Sequence, residues 1–271
     1  MIDFHTHSTA SDGALLPNQL VAEAMRSGIR KFSITDHDTV AGYLAVRDNV
    51  PSSIRLFSGV ELSCQWARLG IHVVGLDIDT DAPCLVRHLQ RLADARLDRA
   101  KRISKKLSKC GIYGSFEGAA AVAGSGQIGR PHFAGWMVDS GYVENESQAF
   151  KFFLGRGKLG DISLLWPTLE ETVGVITASG GQPVLAHPLQ YKITSTRLRA
   201  LCDDFVEAGG AAIEIVSGRT VAGNKSYLLR LALEKNMRVS VGSDFHRESQ
   251  YKQRLGIDVS EIPKGLGIWE D

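Results

Sequence analysis

The chain has 271 residues, 44% of them hydrophobic and 23% charged, which is typical of a globular protein with a sizeable core. Its 31 basic and 30 acidic residues give a net charge of +1, so no overall field favours a nucleic-acid or membrane surface. Four scattered cysteines without a CxxC pair indicate reduced thiols and disfavour a cysteine-ligated zinc site. No apolar run reaches membrane-spanning length. Because the first predicted strand starts at residue 2, we expect no leader peptide, no membrane partner and a cytoplasmic location.

Strands and helices alternate along residues 1–79. The spacing of apolar residues predicts strands at 2–7, 31–35, 55–61 and 70–78 and helices at 18–27 and 40–49. Gly28 follows the first of these helices, at the position where a terminating glycine is expected.

The pattern changes between residues 80 and 165. Leucines at helical spacing among many arginines and lysines predict a long amphipathic helix over 83–109. Within this helix His88 stands among arginines, and we expect it to be exposed to solvent. Residues 115–165 contain glycine-rich turns between short helical pieces, with little strand pattern. We therefore predict a mostly helical insertion, or cap, domain at 80–165.

Strand and helix alternation resumes after residue 165. We predict helices at 169–179, 195–208 and 222–235 and strands at 182–186, 211–216 and 238–241. Repeated strand–helix–strand units predict a parallel sheet with crossover helices, and short units with polar strand ends favour a barrel. The predicted fold class is α/β, with a barrel domain formed by residues 1–79 and 166–271.

Polar clusters occur where the predicted strands and turns end. His5 and His7 lie two residues apart on a strand, so their side chains point to the same face. Six of the eight histidines lie in such clusters: His5, His7, His37, His132, His187 and His246. The accompanying carboxylates are Asp12, Asp36, Asp38, Glu61 and Asp244. Because barrel strand ends converge on one face, these groups predict a site for zinc, manganese or iron.

The motifs of these clusters resemble those of the PHP (polymerase and histidinol phosphatase) family of metal-dependent phosphoesterases. The matching motifs, in family order, are His5-Thr6-His7 with Ser11-Asp12-Gly13, Thr35-Asp36-His37-Asp38, Gly59-Val60-Glu61, Ala186-His187-Pro188 and Gly242-Ser243-Asp244-Phe245-His246. Gly129-Arg130-Pro131-His132 and Gly155-Arg156-Gly157-Lys158 are similar to a bacterial subgroup with a helical insertion. Its members are described as 3′-phosphatases of 3′,5′-bisphosphonucleotides and as 5′→3′ exonucleases of short RNA or DNA. The resemblance implies a distorted (β/α)7 barrel.

The resemblance also implies two or three divalent ions, Mn²⁺, Fe²⁺ or Zn²⁺. The implied ligands are His5, His7, Glu61 and Asp244 for the first ion, Glu61, His132 and His187 for the second, and Asp12, His37 and His246 for the third. Many relatives have histidine where Asp12 stands, although aspartate is common in this subgroup. His72 is either an outer ligand or a donor to the substrate phosphate, and a buried structural histidine is equally compatible with its strand.

Phosphoester hydrolysis suits such a site. Three divalent ions facing three carboxylates leave an excess of positive charge, which favours a dianionic phosphate. Paired ions can bridge a hydroxide in line with the leaving oxygen. Asp36, or its neighbour Asp38, is a candidate to orient a ligand histidine. His246 is a candidate to protonate the leaving alkoxide.

Basic residues are candidates to bind the substrate phosphate. Arg130 is the main one, because a guanidinium matches phosphate oxygens and it lies two residues from His132. Weaker candidates, for which a solvated surface role is favoured, are Lys158, Arg156 and Arg219. The chain has no Walker or Rossmann fingerprint, so a nucleotide would be a substrate and not a bound cofactor. The segment 214–220 departs from relatives that often carry a histidine there, which leaves the identity of the substrate open.

The expected function is hydrolysis of a phosphomonoester or phosphodiester of a nucleotide or short oligonucleotide, with no protein partner evident. Two alternatives remain open. An amidohydrolase-type C–N hydrolase also uses HxH on its first strand, but it usually has a metal-bridging lysine where this chain offers Glu61. A non-catalytic, metal-stabilised binding module would use the same ligands structurally.

Overall fold

The strands form two sheets. The computed structural model describes residues 1–162, 166–218, 220–248 and 254–270. One sheet is parallel and contains, in this order, β1 (Ile2–Asp3), β2 (Lys31–Ser33) and β3 (Arg55–Phe57). The other contains, in this order, β4 (Gly59–Trp66), β5 (Leu69–Leu76), β6 (Gln182–Leu185), β7 (Ala212–Ser217) and β8 (Arg238–Gly242). The α/β class predicted from the sequence is confirmed.

Backbone contacts join the two sheets at both edges of the larger one. Beside β8, the Phe4 N–H donates to the Val241 carbonyl over 3.1 Å. At the other edge, a parallel bridge joins His37, which follows β2, to Glu61 of β4. Beyond Asp3 the chain runs between the continuation of β2, where the Thr35 N–H donates to the Thr6 carbonyl over 2.8 Å, and β8 with its following loop. Only the first two residues of the predicted strand 2–7 form β1.

The prediction of a wholly parallel sheet is wrong for β4 and β5. The strand β5 pairs antiparallel with both β4 and β6, whereas β6, β7 and β8 are parallel to one another. Only Ala67 and Arg68 connect β4 to β5, both with positive φ (43° and 64°). Such a tight turn makes a hairpin, because a parallel connection needs a crossover of a dozen or more residues. The predicted strand 55–61 is also divided at Ser58 between the two sheets.

Helices connect the strands and fill the middle of the chain. Their bounds are α1 (Pro17–Arg26), α2 (Ala41–Leu44), α3 (Pro83–Ser108), α4 (Ser115–Ala123), α5 (Arg130–Asp139), α6 (Glu146–Ala149), α7 (Leu169–Ala178), α8 (Ser195–Glu207) and α9 (Ala222–Glu234). A π-helical turn, Phe150–Leu154, follows α6. Except for α2, which is much shorter, the helices predicted individually lie within two residues of their predicted bounds. In the described ranges, no helix is both long and apolar enough to cross a membrane.

The segment around α3 to α6 has an apolar cluster of its own. The buried members of this cluster lie between Ala100 and Ile162 and include Phe133 and Met137. The N-terminal half of α3 instead turns a face towards the sheets, with Leu85 and Leu92 in the core that surrounds β4 to β8. His88 lies on this inner face with only 6% of its surface exposed. The prediction of a solvent-exposed His88 is therefore wrong, because the helix docks on the side that carries it.

Candidate metal centre and anion cavity

The ends of four strands and one residue inside a fifth bring histidines and carboxylates together. His5 and His7 follow β1, His37 follows β2, and His187 follows β6. Glu61 lies inside β4 and is fully buried. Asp244, which follows β8, completes the inner set, and His246 lies two residues further on.

Glu61 is the centre of this cluster, since both of its oxygens lie close to histidine nitrogens. The distances from Oε2 are 2.8 Å to His37 Nδ1, 3.3 Å to His5 Nε2 and 3.4 Å to His7 Nε2, and those from Oε1 are 2.8 Å to His187 Nε2 and 2.9 Å to His72 Nδ1. Asp244 Oδ1 lies 3.6 Å from His5 Nε2 and 3.4 Å from His7 Nε2. A single carboxylate therefore faces five histidines that come from four different segments.

Asp12 is the centre of a second group on the outer side. Its carboxylate oxygens lie 3.3 Å from His246 Nε2 and 3.8 Å from His37 Nε2. The ligand atoms of three sets lie within 4.8 Å of one another: His7, Asp12, His37 and His246; His5, His7 and Glu61; and His37, Glu61 and His72. These sets share residues, so the cluster has the form of adjoining ion sites.

The inner atoms of the cluster fit divalent ions. Six buried nitrogen or oxygen atoms there have no hydrogen-bond partner: His5 Nε2, His7 Nε2, Asp12 Oδ1, His37 Nδ1, Glu61 Oε2 and His187 Nδ1. The 2.8 Å approach of His37 to Glu61 thus lacks hydrogen-bond geometry. Buried lone pairs without donors cost free energy, and imidazole with carboxylate is a normal ligand set for Zn²⁺, Mn²⁺ or Fe²⁺.

Charges in the cluster shift the pKa values of its members in opposite directions. Burial alone lowers the pKa of His5, but Glu214, Glu61 and Asp244 raise it well above its usual value. Burial, with His246 and His37, lowers the pKa of His7 to about 3. For His246, the carboxylates of Asp12 and Asp244 outweigh burial and raise the pKa to about 9. The metal-free cluster therefore holds protons at positions where bound cations would replace them.

Asp36 and Asp38 bind neighbouring loops and do not contact a ligand nitrogen in any described hydrogen bond. The Asp36 carboxylate accepts from the Ser8 N–H at 2.7 Å and from the hydroxyls of Ser8 and Ser11 at 2.6 Å each. The Ser11 hydroxyl in turn lies 3.5 Å from His7 Nδ1. Asp36, predicted as catalytic, therefore lies behind the cluster and reaches His7 only through Ser11.

His72, and not His132, lies beside Glu61 and His187. His72 Nδ1 lies between Glu61 and His187, 3.2 Å from His187 Nε2. His132 belongs to none of the three ligand groups of the described residues. Its Nδ1 accepts from the Gly129 N–H at 2.9 Å and closes the first turn of α5. The structure thus brings His72 to Glu61 and His187, and does not bring His132 there.

A cavity of about 530 Å³ opens beside the cluster. Asp12, His37, His72 and His187 line one side of it. The arginines that line it are Arg68, Arg96, Arg99, Arg130 and Arg156. Of the weaker phosphate candidates, Arg156 lies here, whereas Lys158 is exposed and is not among the described lining residues. Arg219 lies outside the described residues.

Arg99 has no carboxylate partner in a described ion pair, and its guanidinium carbon lies 5.4 Å from the centre of the Trp166 ring. Arg96 Nε donates to Asp38 over 2.6 Å, and the Arg130 guanidinium donates to the Leu154 carbonyl over 3.2 Å. Arg99 Nε is buried without a hydrogen-bond partner. Burial, helped by Arg130 and Arg96, lowers the pKa of Arg99 to about 9. A desolvated cation beside like charges favours a bound anion.

Three features of the site were not anticipated from the sequence. Arg96 and Arg99 belong to the predicted amphipathic helix 83–109 but were not singled out from the sequence as site residues. Arg96 lies on the buried face of α3 with Leu85 and Leu92, and Arg99, three residues further on, is half-buried. Their helical spacing from the leucines could have indicated this placement. Glu214, buried in β7, bonds the ring of His5 at 3.0 Å. No local pattern distinguishes this glutamate from a structural one.

A histidine and carboxylate cluster able to hold several ions, open to a cavity lined by arginines, defines a metal-dependent hydrolase of anionic substrates. The model of the PHP domain matches residues 3–113. A 5′-3′ exoribonuclease of Haemophilus influenzae is 37% identical over 99% of the chain and 97% of its own length. The chain therefore belongs to the PHP domain family.

Two further relatives are proteins of Chromobacterium violaceum. A 3′,5′-nucleoside bisphosphate phosphatase is 35% identical over the whole chain and 95% of its own length. A solved structure described as an amidohydrolase, with bound sulfate and no metal, is 37% identical and superimposes with a TM-score of 0.83. That alignment covers 90% of this chain and 87% of the other. The named activities thus include two phosphoester hydrolases and one amidohydrolase.

Proposed function

We propose that the protein is a metal-dependent phosphoesterase acting on nucleotides. It removes the 3′-phosphate of 3′,5′-bisphosphonucleotides or removes nucleotides 5′→3′ from short RNA or DNA. One observation carries the proposal: four residues of the ligand cluster and five arginines line the same cavity. Named relatives with these activities align along nearly the whole chain.

The cluster would hold two or three divalent ions, with Mn²⁺, Fe²⁺ and Zn²⁺ as the candidates. His5, His7, Glu61 and Asp244 are assigned to the first ion, Glu61, His72 and His187 to the second, and Asp12, His37 and His246 to the third. Bound ions would supply positive charge for the phosphate and activate the attacking water. His132 is removed from the ligand set and assigned to the base of α5. This change in the ligands assigned to the second ion follows from the distances between Glu61 and the histidines around it.

His246 has two possible roles, which depend on how many ions bind. With all three ions present, its Nε2 is a ligand beside Asp12. With two, it would not be a ligand and could donate a proton to the leaving alkoxide. His72 is assigned as a ligand and not as the donor to phosphate, because its Nδ1 faces Glu61 at 2.9 Å.

The arginine side of the cavity would bind the second phosphate of the substrate. Arg99 and Arg130 are the principal contacts, since both are largely desolvated and neither is paired with a carboxylate in a described contact. The sulfate bound by the Chromobacterium violaceum relative supports an anion site, since sulfate has the shape and charge of phosphate. Trp166, which also lines the cavity, is a candidate to stack on a base.

The domain organisation remains part of the proposal. Residues 1–79 and 166–271 would form a distorted (β/α)7 barrel, and the contacts that join the two sheets at both edges support it. Residues 80–165 would form the cap over its mouth, a division supported by the apolar cluster between Ala100 and Ile162.

A panel of substrates tests the proposed function. Phosphate or nucleotide release with Mn²⁺ is measured on a 3′,5′-bisphosphonucleotide, on 5′-phosphorylated di- to pentanucleotides, on histidinol phosphate and on a set of amides. We expect turnover of the first two classes, lost with chelator and restored with Mn²⁺. Cleavage of amides alone would support the amidohydrolase activity named for one relative. The described cavity lining contains no lysine to bridge ions in that way.

A further inference from the structure

Glu214 is a buried charge in an apolar strand. It belongs to β7, where Ala212, Ile213 and Ile215 are also buried, and only 2% of its own surface is exposed. A buried carboxylate is costly unless hydrogen bonds compensate it. The two bonds that compensate it both go to segments that carry cluster histidines.

The first bond goes to the ring of His5. Glu214 Oε1 lies 3.0 Å from His5 Nδ1, and because a carboxylate only accepts, the ring nitrogen donates. Nδ1 therefore carries a proton, and Nε2, which faces Glu61 and Asp244, is the nitrogen available to an ion. A carboxylate in this position also makes the imidazole a stronger ligand.

The second bond goes to the backbone of His187. The His187 N–H donates to Glu214 Oε2 over 2.6 Å. His187 has a φ of +28°, a conformation that is strained for a residue with a side chain and needs support from its surroundings. The bond thus holds the peptide from which the His187 ring reaches Glu61 at 2.8 Å.

The surrounding backbone accommodates this carboxylate. A register shift between Glu214 and Val216 interrupts the pairing of β7 with β8, and such bulges re-aim a side chain. Across the sheet, a Cβ on Gly242 would lie 2.2 Å from the Cβ of His5 and 2.9 Å from Glu214 Oε1. A larger residue at position 242 would displace the pair.

We propose that Glu214 is a positioning residue that orients His5 through its ring and His187 through its backbone, and so sets the metal affinity of the cluster. One carboxylate thereby couples the β1 and β6 ends, whose histidines serve different ions. The inference rests on the metal-binding part of the proposed function and adds to it a residue that touches neither substrate nor ion.

Mn²⁺ binding to the metal-free protein tests the inference without substrate. Free Mn²⁺ is measured by electron paramagnetic resonance during titration of wild type, Glu214→Gln and a control, Ser240→Ala. Ser240 is buried and lies opposite Glu214 in β8. The glutamine cannot accept from both His5 and His187, so we expect Mn²⁺ to bind about 10–100-fold more weakly. Activity is expected to recover when the Mn²⁺ concentration is raised above the new Kd.

Each outcome bears on the inference. Mn²⁺ affinity of Glu214→Gln within about threefold of wild type would overturn the role of Glu214, as would an equal loss in Ser240→Ala. If Glu214→Gln does not fold, Glu214→Asp keeps the charge but withdraws the carboxylate, and the same thresholds apply to it. Absence of Mn²⁺ binding to wild type would instead refute the proposed function together with this inference.

Discussion

Replacing Glu61 by glutamine removes the charge that the inner histidines share. In a site with an effective dielectric constant of about 20, two unit charges 4 Å apart interact by about 4 kcal/mol. One carboxylate beside one divalent ion therefore contributes roughly 8 kcal/mol at that distance. The amide keeps one oxygen ligand and water relaxes around it, so we expect about half of this to be lost. A loss of about 4 kcal/mol lowers kcat at least about 10³-fold.

Phosphate release from a 3′,5′-bisphosphonucleotide, together with the bound Mn²⁺ per chain, measures this effect. Glu234→Gln is the matched control, because Glu234 is exposed and pairs only with Arg199 among the described ion pairs. Such surface pairs contribute little, so the kcat of this control is expected within twofold of wild type. A Glu61→Gln enzyme with kcat within tenfold of wild type and unchanged Mn²⁺ content would refute the shared-ion cluster.

Three further predictions concern other parts of the molecule. Arg99→Ala should lower kcat/KM for a 3′,5′-bisphosphonucleotide by about 10–100-fold through lost charge-assisted bonds; an equal loss on a 3′-nucleotide without a 5′-phosphate would contradict the assigned contact. Gly242→Ala should destabilise the metal-free protein by about 1–3 kcal/mol, because the added Cβ would lie 2.2 Å from the Cβ of His5; an unchanged Tm would count against this packing. Burial lowers the pKa of His88, so below about pH 6.5 the unfolded chain binds a proton first and stability falls with falling pH. His88→Gln should flatten that fall between pH 7 and 5 in urea unfolding, and an unchanged slope would show that His88 does not cause it.

The metal-ligating residues could be predicted from the sequence because they lie in short clusters at strand ends. The two-residue period of a strand was enough to predict that the side chains of His5 and His7 lie on the same face. The parallel βα pattern implied that clusters distant in the sequence meet at one end of the fold. The spacing of hydrophobic residues was also enough to predict the bounds of α3, which are 83–109 in the prediction and Pro83–Ser108 in the structure.

The contact between Glu61 and His72 depends on the register in which β4 pairs with β5. In the antiparallel pairing of β4 with β5, Glu61 lies opposite Val74. His72 is two residues from Val74, so its side chain is on the same face, diagonal to Glu61. The sequence shows that His72 lies in a strand but not which strand is its neighbour, so the contact of His72 with Glu61 could not be predicted from the sequence.

The sequence by itself determined the chemical groups of the site, because residue type and local period carry the ligand chemistry and the strand ends. Tertiary structure alone decided which groups face one another and which charges are buried. The docking of α3 buried His88 and Arg96, and a bulge in β7 aimed Glu214 at His5. Such choices depend on packing between segments far apart in the chain, for which local hydrophobic patterns carry no information.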